Sequence, residues 1–133
     1  MLLHIDPSNG LPIYEQIVRQ VTFAIANKAL RVAEHVPSVR EMAGMAAVNP
    51  NTVARAYREL QQQGILTTIR GTGLAVTAEA PAICRQLRLR FIRERLRSVL
   101  TEAAQNQVDW DEIRQLVESE IKRLSSRTSG TET

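Results

Sequence analysis

A mostly α-helical chain carrying one small β-hairpin is the fold class that the sequence predicts, and three observations predict it. Three short segments in the first half repeat apolar residues at helical spacing, each opened by a capping or proline signal. Two β-prone runs, Ile65 to Ile69 and Leu74 to Val76, flank the stretch Arg70-Gly71-Thr72-Gly73. Two further amphipathic segments fill the C-terminal part.

Each element follows from local chemistry. Pro12 has no N–H to donate and suits a first helical position, after which Ile13, Ile17, Val18, Val21 and Ile25 recur on one face. Ser38, after Pro37, can cap a short second helix, with Glu41 returning the bond and Val39, Met42 and Met45 forming its apolar side. Asn49 and Pro50 repeat the cap-then-proline signal. Val53, Ala56, Tyr57 and Leu60 follow before Gly64 closes a third helix. The glycines after Arg70 permit a tight turn between the two strands.

Three helices and then a hairpin is the order of a winged helix-turn-helix, which we assign to residues 1–77. The composition changes at Thr77 to Pro81. Residues 78–126 read as a two-helix dimerisation region, and 127–133, without a large apolar side chain, as a disordered tail. A chain of 133 residues has no room for a second full-sized ligand-binding domain beside these.

Composition narrows the function. Lys and Arg number 17 against 14 Asp and Glu, a net charge of +3, so where the positive charge lies matters more than its sum. The single cysteine, Cys84, excludes an intrachain disulfide, and with His4 and His35 far apart in sequence no metal site or cofactor is expected. The start, Met1 to His4, has no basic n-region and no long apolar stretch, so we expect no signal peptide, no membrane partner and a cytoplasmic location. No paired carboxylates, Ser-His-Asp arrangement or phosphate loop supports an enzyme.

The third helix points to a nucleic acid. At about 100° per residue, Asn51, Arg55, Arg58 and Gln62 lie opposite its apolar face in a stripe without acids. Arginine suits guanine edges and asparagine adenine edges, so Asn51 and Arg55 fit base reading. Thr52, near the helix start, fits a phosphate bond or a thymine-methyl contact, and Asn49 fits capping shared with contact. Arg40 opposes the dipole in the first turn of the second helix, which a nearby phosphate would explain. Arg70, Gly71 and Thr72 at the hairpin tip fit entry into a minor groove. An ordinary solvated helix face and a plain turn are the alternatives for these residues.

The segments 37–43 (Pro-Ser-Val-Arg-Glu-Met-Ala), 48–60 (Val-Asn-Pro-Asn-Thr-Val-Ala-Arg-Ala-Tyr-Arg-Glu-Leu) and 64–66 (Gly-Ile-Leu) closely resemble the GntR family of bacterial transcription regulators. The segments 12–17 and 70–73 match as well, so the resemblance covers residues 10–77. It implies a winged helix-turn-helix that meets double-stranded operator DNA through positions matching Arg40, Asn51, Thr52, Arg55, Arg70 and Gly71. The short C-terminal region is similar to the YtrA subfamily, which implies two dimerisation helices and control of a transporter operon. The pattern departs at Lys28 and Ala33, where the family usually has glycine, and at Leu74 and Ala75, where its wing has Thr and Phe. Without glycine at Lys28, another loop conformation or a longer first helix is expected.

Beyond the boundary, Leu89, Ile92, Leu96, Val99 and Ala103 repeat at three and four, with Leu87 and Phe91 widening the stripe. Asp109 can cap a last helix on which Trp110, Ile113, Val117, Ile121 and Leu124 form a narrow seam. Two such helices bury little alone, which favours a homodimer through Leu89, Ile92, Leu96, Val99, Trp110, Ile113, Val117, Ile121 and Leu124. The sequence thus predicts a dimeric regulator, more readily a repressor, on a palindromic operator. A small-molecule effector is left unidentified. A winged-helix adaptor that binds protein instead of operator is the alternative.

Overall fold

The structure, a computed structural model, describes residues 4–131, with side chains as far as residue 127. The elements run α1 (Ile13–Ala26), α2 (Val39–Ala46), α3 (Pro50–Gln62), β1 (Leu66–Ile69), β2 (Gly73–Val76), α4 (Ala80–Gln105) and α5 (Trp110–Thr131). The chain divides into two compact units, Met1–Ile92 and Arg93–Thr133.

In the first unit the apolar faces anticipated from spacing meet in one core. Ile17, Val21 and Ile25 of α1, Met42 of α2 and Val53, Ala56 and Leu60 of α3 are buried with Ile65. Burying each larger side chain contributes about 1.5–3 kcal/mol. Met45, expected on the inner side of α2, is 58 % exposed, and Ala43 takes its place. At about 100° per residue, Val39, Met42 and Ala43 share one face and Met45 falls well to its side.

The local signals explain where the helices begin. Ser38 Oγ accepts the Glu41 N–H (3.1 Å) and Glu41 accepts the Ser38 N–H (3.1 Å), so the capping box is complete. Asn49 Oδ1 accepts the Asn51 N–H at 2.8 Å ahead of Pro50. Pro12 stands one residue before α1, not inside it, with an extended ψ of 148° and its carbonyl accepting the Gln16 N–H. Asp109 Oδ1 accepts the Asp111 N–H at 3.2 Å at the head of α5.

Helix ends share one device. After α1 the Ala29 N–H donates to Ala24 O (2.8 Å) and the Lys28 N–H to Ile25 O (3.1 Å), with Lys28 at φ +65°. This is the Schellman pair of bonds, which needs a left-handed residue. Gly64 fills that place after α3 at φ +79°, and Ala47 and Gln107 fill it after α2 and α4 at +56° and +57°. The expectation that Lys28 would re-route the loop or lengthen α1 is therefore corrected. The bonds that satisfy the last carbonyls, together with the packing that follows, hold the backbone left-handed without glycine. Ala33 does likewise at φ +70°, its N–H donating to Val76 O at 2.9 Å.

The hairpin is antiparallel, with Leu66 opposite Val76 and Ile69 opposite Gly73. Gly73, assigned to the turn from sequence, is the first residue of β2, which leaves Arg70 to Thr72 as the connection. The loop before α2 lies along the other edge of β2: Val36 N–H donates to Leu74 O (3.0 Å), Val76 N–H to Glu34 O (2.9 Å), and His35 bridges Ala75. Ala75 is buried and Leu74 half-buried against the core, so the wing packs with the residues it has.

The compact unit that holds the winged elements runs past residue 77 as far as Ile92. The reason is that α4 carries two apolar stripes. Ala80, Cys84 and Leu87 are buried in the core, and Phe91 meets the Phe23 ring edge-to-face at 6.1 Å. Leu87 and Phe91 therefore belong to this docking face and do not widen the stripe of Leu89, Ile92, Leu96 and Val99, which lies well over 100° around the helix. Arg88 Nη1 donates to Asn27 Oδ1 at 2.7 Å, and the Arg19 guanidinium lies 4.5 Å from the Phe91 ring centre. In the second unit, α5 continues as helix to Thr131, past residue 127 where the sequence predicts that a tail begins. No proline interrupts the segment, and each added residue extends the hydrogen-bond ladder by one. Residues 132–133 lie outside the described residues.

Candidate nucleic-acid interface

α3 buries Val53, Ala56, Tyr57 and Leu60 and turns Asn51, Arg55, Arg58 and Gln62 to solvent. That division is the one the spacing predicts, and it leaves no carboxylate among the four outward side chains. Thr52 is half-buried at the helix shoulder. The Asn49 oxygen is spent on the cap, while its NH2 group keeps its donors for other partners.

Two bonds bring the neighbouring elements to α3. Tyr57 Oη donates to Pro37 O at 2.7 Å, which fixes the chain entering α2 beside α3. Burial, and then the Glu41 carboxylate, push the Tyr57 phenol far above its ordinary value, so it stays a protonated donor. Gln61 Nε2 lies 3.3 Å from Thr68 Oγ1 and ties α3 to β1.

Arg40 is exposed in the first turn of α2. The neighbouring Glu41 carboxyl is held below its ordinary range by the Ser38 N–H and then the Ser38 hydroxyl, so it remains ionised as the cap. At the wing tip Arg70, Gly71 and Thr72 are exposed. A Cβ at Gly71 would meet nothing within 4 Å, so its φ of +82°, not crowding, favours glycine. Thr72 Oγ1 lies 3.1 Å from His35 Nε2.

The structure thus gathers the nominated residues on three neighbouring elements, and it adds two that the sequence reading missed. Tyr14 of α1 lies under Arg55, its ring centre 3.7 Å from the guanidinium carbon. His35 holds Thr72 across the wing. Neither was legible locally: Tyr14 sits 41 positions from Arg55, and the place of His35 depends on its bridge to Ala75.

On α4 and α5 the other nominated set stands uncovered. Leu89 is 66 % exposed, Val99 59 % and Trp110 48 %, with Ile92, Leu96, Val117, Ile121 and Leu124 also exposed and Ile113 half-buried. Within the second unit Leu96, Leu100, Trp110, Ile113 and Val117 line an open groove of about 480 Å³. Among the described residues no group of His, Cys, Asp and Glu is placed to hold a metal, and no helix is long and apolar enough to cross a membrane.

Residues 13–76 match the family model for bacterial regulatory proteins of the gntR family. Over 129 residues the chain is 32 % identical to the HTH-type transcriptional repressor YtrA of Bacillus subtilis, covering 97 % of this chain and 96 % of that one. The chain belongs to the gntR family. As a gntR-family chain it is a transcription regulator with a DNA-binding winged domain, and not an enzyme. The likeness to YtrA runs through both units, beyond the winged domain that the family model describes. The fold agrees: a GntR family transcriptional regulator from Listeria monocytogenes superposes with a TM-score of 0.70 at 31 % identity, over 86 % of this chain and 98 % of that one. AraR(DBD), solved in complex with operator ORX1, matches 56 % of this gntR-family chain and 93 % of its own with a TM-score of 0.50 at 25 % identity.

Proposed function

We propose that the chain is a repressor that binds a palindromic operator as a homodimer. The observation that carries this reading is the outward face of α3, where Asn51, Arg55, Arg58 and Gln62 are exposed without a carboxylate among them. In the major groove Asn51 and Arg55 read base edges, Arg58 and Thr52 meet phosphates, Arg40 grips the backbone from α2, and Arg70, Gly71 and Thr72 enter the adjacent minor groove. Asn49 holds the helix start in place and offers its amide to a phosphate. The operator complex of AraR supports this use of the domain.

The dimer rests on Leu89, Ile92, Leu96, Val99, Trp110, Ile113, Val117, Ile121 and Leu124. So many large apolar side chains left to solvent on two helices favour association with a second copy. Two-fold pairing sets two recognition helices about one DNA turn apart, so half-site affinities combine. A small molecule that changed the spacing of the two heads would release the operator. The likeness to YtrA suggests a transporter operon as the target.

The test is fluorescence anisotropy of the protein with duplex from upstream of its own gene, against scrambled duplex, at several salt concentrations. The account expects tight binding to the upstream duplex only, falling steeply with salt as counterions are released. Equal, weak binding to both would overturn sequence reading, and no binding to either would favour a protein-binding adaptor.

A further inference from the structure

Arg55 is one of two arginines on the outward face of α3, yet it does not stand free. Its guanidinium carbon lies over the Tyr14 ring, 3.7 Å from the ring centre. Tyr14 is half-buried at the start of α1, packed on the core beside Ile13 and Ile17, and its hydroxyl lies 3.3 Å from Glu15 Oε1. The ring is a fixed platform on a helix that packs directly against α3.

We infer that Tyr14 is a positioning residue for DNA reading, holding the Arg55 guanidinium in one plane before the operator arrives. This deepens the reading given above and rests on it. An exposed arginine loses side-chain freedom when it grips a base, and that loss weakens binding. Stacking removes much of that freedom in advance. It also leaves the in-plane N–H donors untouched, because a ring contacts only the face of the guanidinium. The bidentate fork that matches a guanine edge or a phosphate therefore stays available and is aimed. Lysine would not serve here, since an ammonium has no flat face and no fork. The stack also ties α1 to the reading surface, which gives α1 a part in specificity without contact to DNA.

The test compares anisotropy titrations of the full chain and of Tyr14→Phe, Tyr14→Leu, Arg55→Ala and the double variant Tyr14→Leu/Arg55→Ala on operator and scrambled duplex. Melting of each protein is followed alongside. Tyr14→Phe keeps the ring and is expected to bind as the native chain does. Tyr14→Leu is expected to lose roughly 5- to 30-fold in operator affinity, in the range a well-placed cation–π contact supplies. Its binding to scrambled duplex should change much less. In the Arg55→Ala background the same Tyr14→Leu change should cost nothing further in affinity, although it still lowers the melting temperature. A purely structural role for Tyr14 predicts equal losses with and without Arg55, and that result overturns the inference. So does Tyr14→Leu binding the operator with native affinity. If the native chain binds no duplex, the operator reading fails and this inference falls with it. If the native chain binds specifically and Arg55→Ala is silent, the inference alone is overturned.

Discussion

Replacing Lys28 with glycine should make the protein more stable. Lys28 occupies the left-handed position of the bond pair that ends α1, at φ +65°. A residue with a Cβ is strained there by roughly 1–2 kcal/mol. Glycine removes that strain but adds about 0.4–1 kcal/mol of unfolded-chain entropy. The net gain is about 0.5–1 kcal/mol, or a rise in Tm of roughly 2–5 °C for a chain of this size. The Lys28 side chain is exposed, so little packing is lost with it. Gly64 supplies the converse. A Cβ there would meet only Ile83 Cδ1 at 3.7 Å, an ordinary contact, so Gly64→Ala should destabilise by about 1 kcal/mol through conformation alone. The assay is urea unfolding followed by circular dichroism at one fixed protein concentration, since the proposed dimerisation would couple stability to concentration. A Lys28→Gly chain that unfolds at the same or lower urea concentration than the native chain refutes the reasoning.

Three further outcomes are expected. Tyr57→Phe leaves Pro37 O without its donor and should cost about 1 kcal/mol in urea unfolding, with operator affinity reduced as α2 loosens from α3. Cys84 is fully buried, and burial pushes its thiol up to about 11 from 9.0, so it should resist alkylation in the folded protein. Because the folded value is the higher one, its contribution to stability is complete below pH 9 and is lost as pH rises towards about 11; Cys84→Ala should flatten that limb of a pH-stability curve. Leu96→Glu places a charge in the uncovered stripe of α4 and should convert the proposed dimer to monomer in analytical ultracentrifugation while the first unit stays folded.

Most of the winged domain is legible in the sequence because its signals are local. The Ser38–Glu41 box, the Asn49–Pro50 start and the face shared by Val53, Ala56, Tyr57 and Leu60 each depend on a few adjacent residues, and the structure shows all three. What the sequence hid depends on distant partners. The burial of Ala80, Cys84 and Leu87 carries the first unit on to Ile92, yet Leu87 and Phe91 look like part of one broad stripe until α1 is in place. Lys28 argues against a left-handed turn by its own preference, and the bonds from residues 28 and 29 back into α1 override it. The outward residues of the site were legible from helical period alone. The contacts that hold Arg55 and Thr72 were not, because Tyr14 and His35 reach them only across the fold.

The most direct test of the central claim is a titration of the protein against two duplexes, the footprinted operator and one half of it, with stoichiometry measured in the same experiment. The account predicts two chains on the whole operator and a half-site affinity weaker by at least about 100-fold, as expected when paired heads share one binding event. Equal affinity for both duplexes, with one chain bound to each, would contradict it.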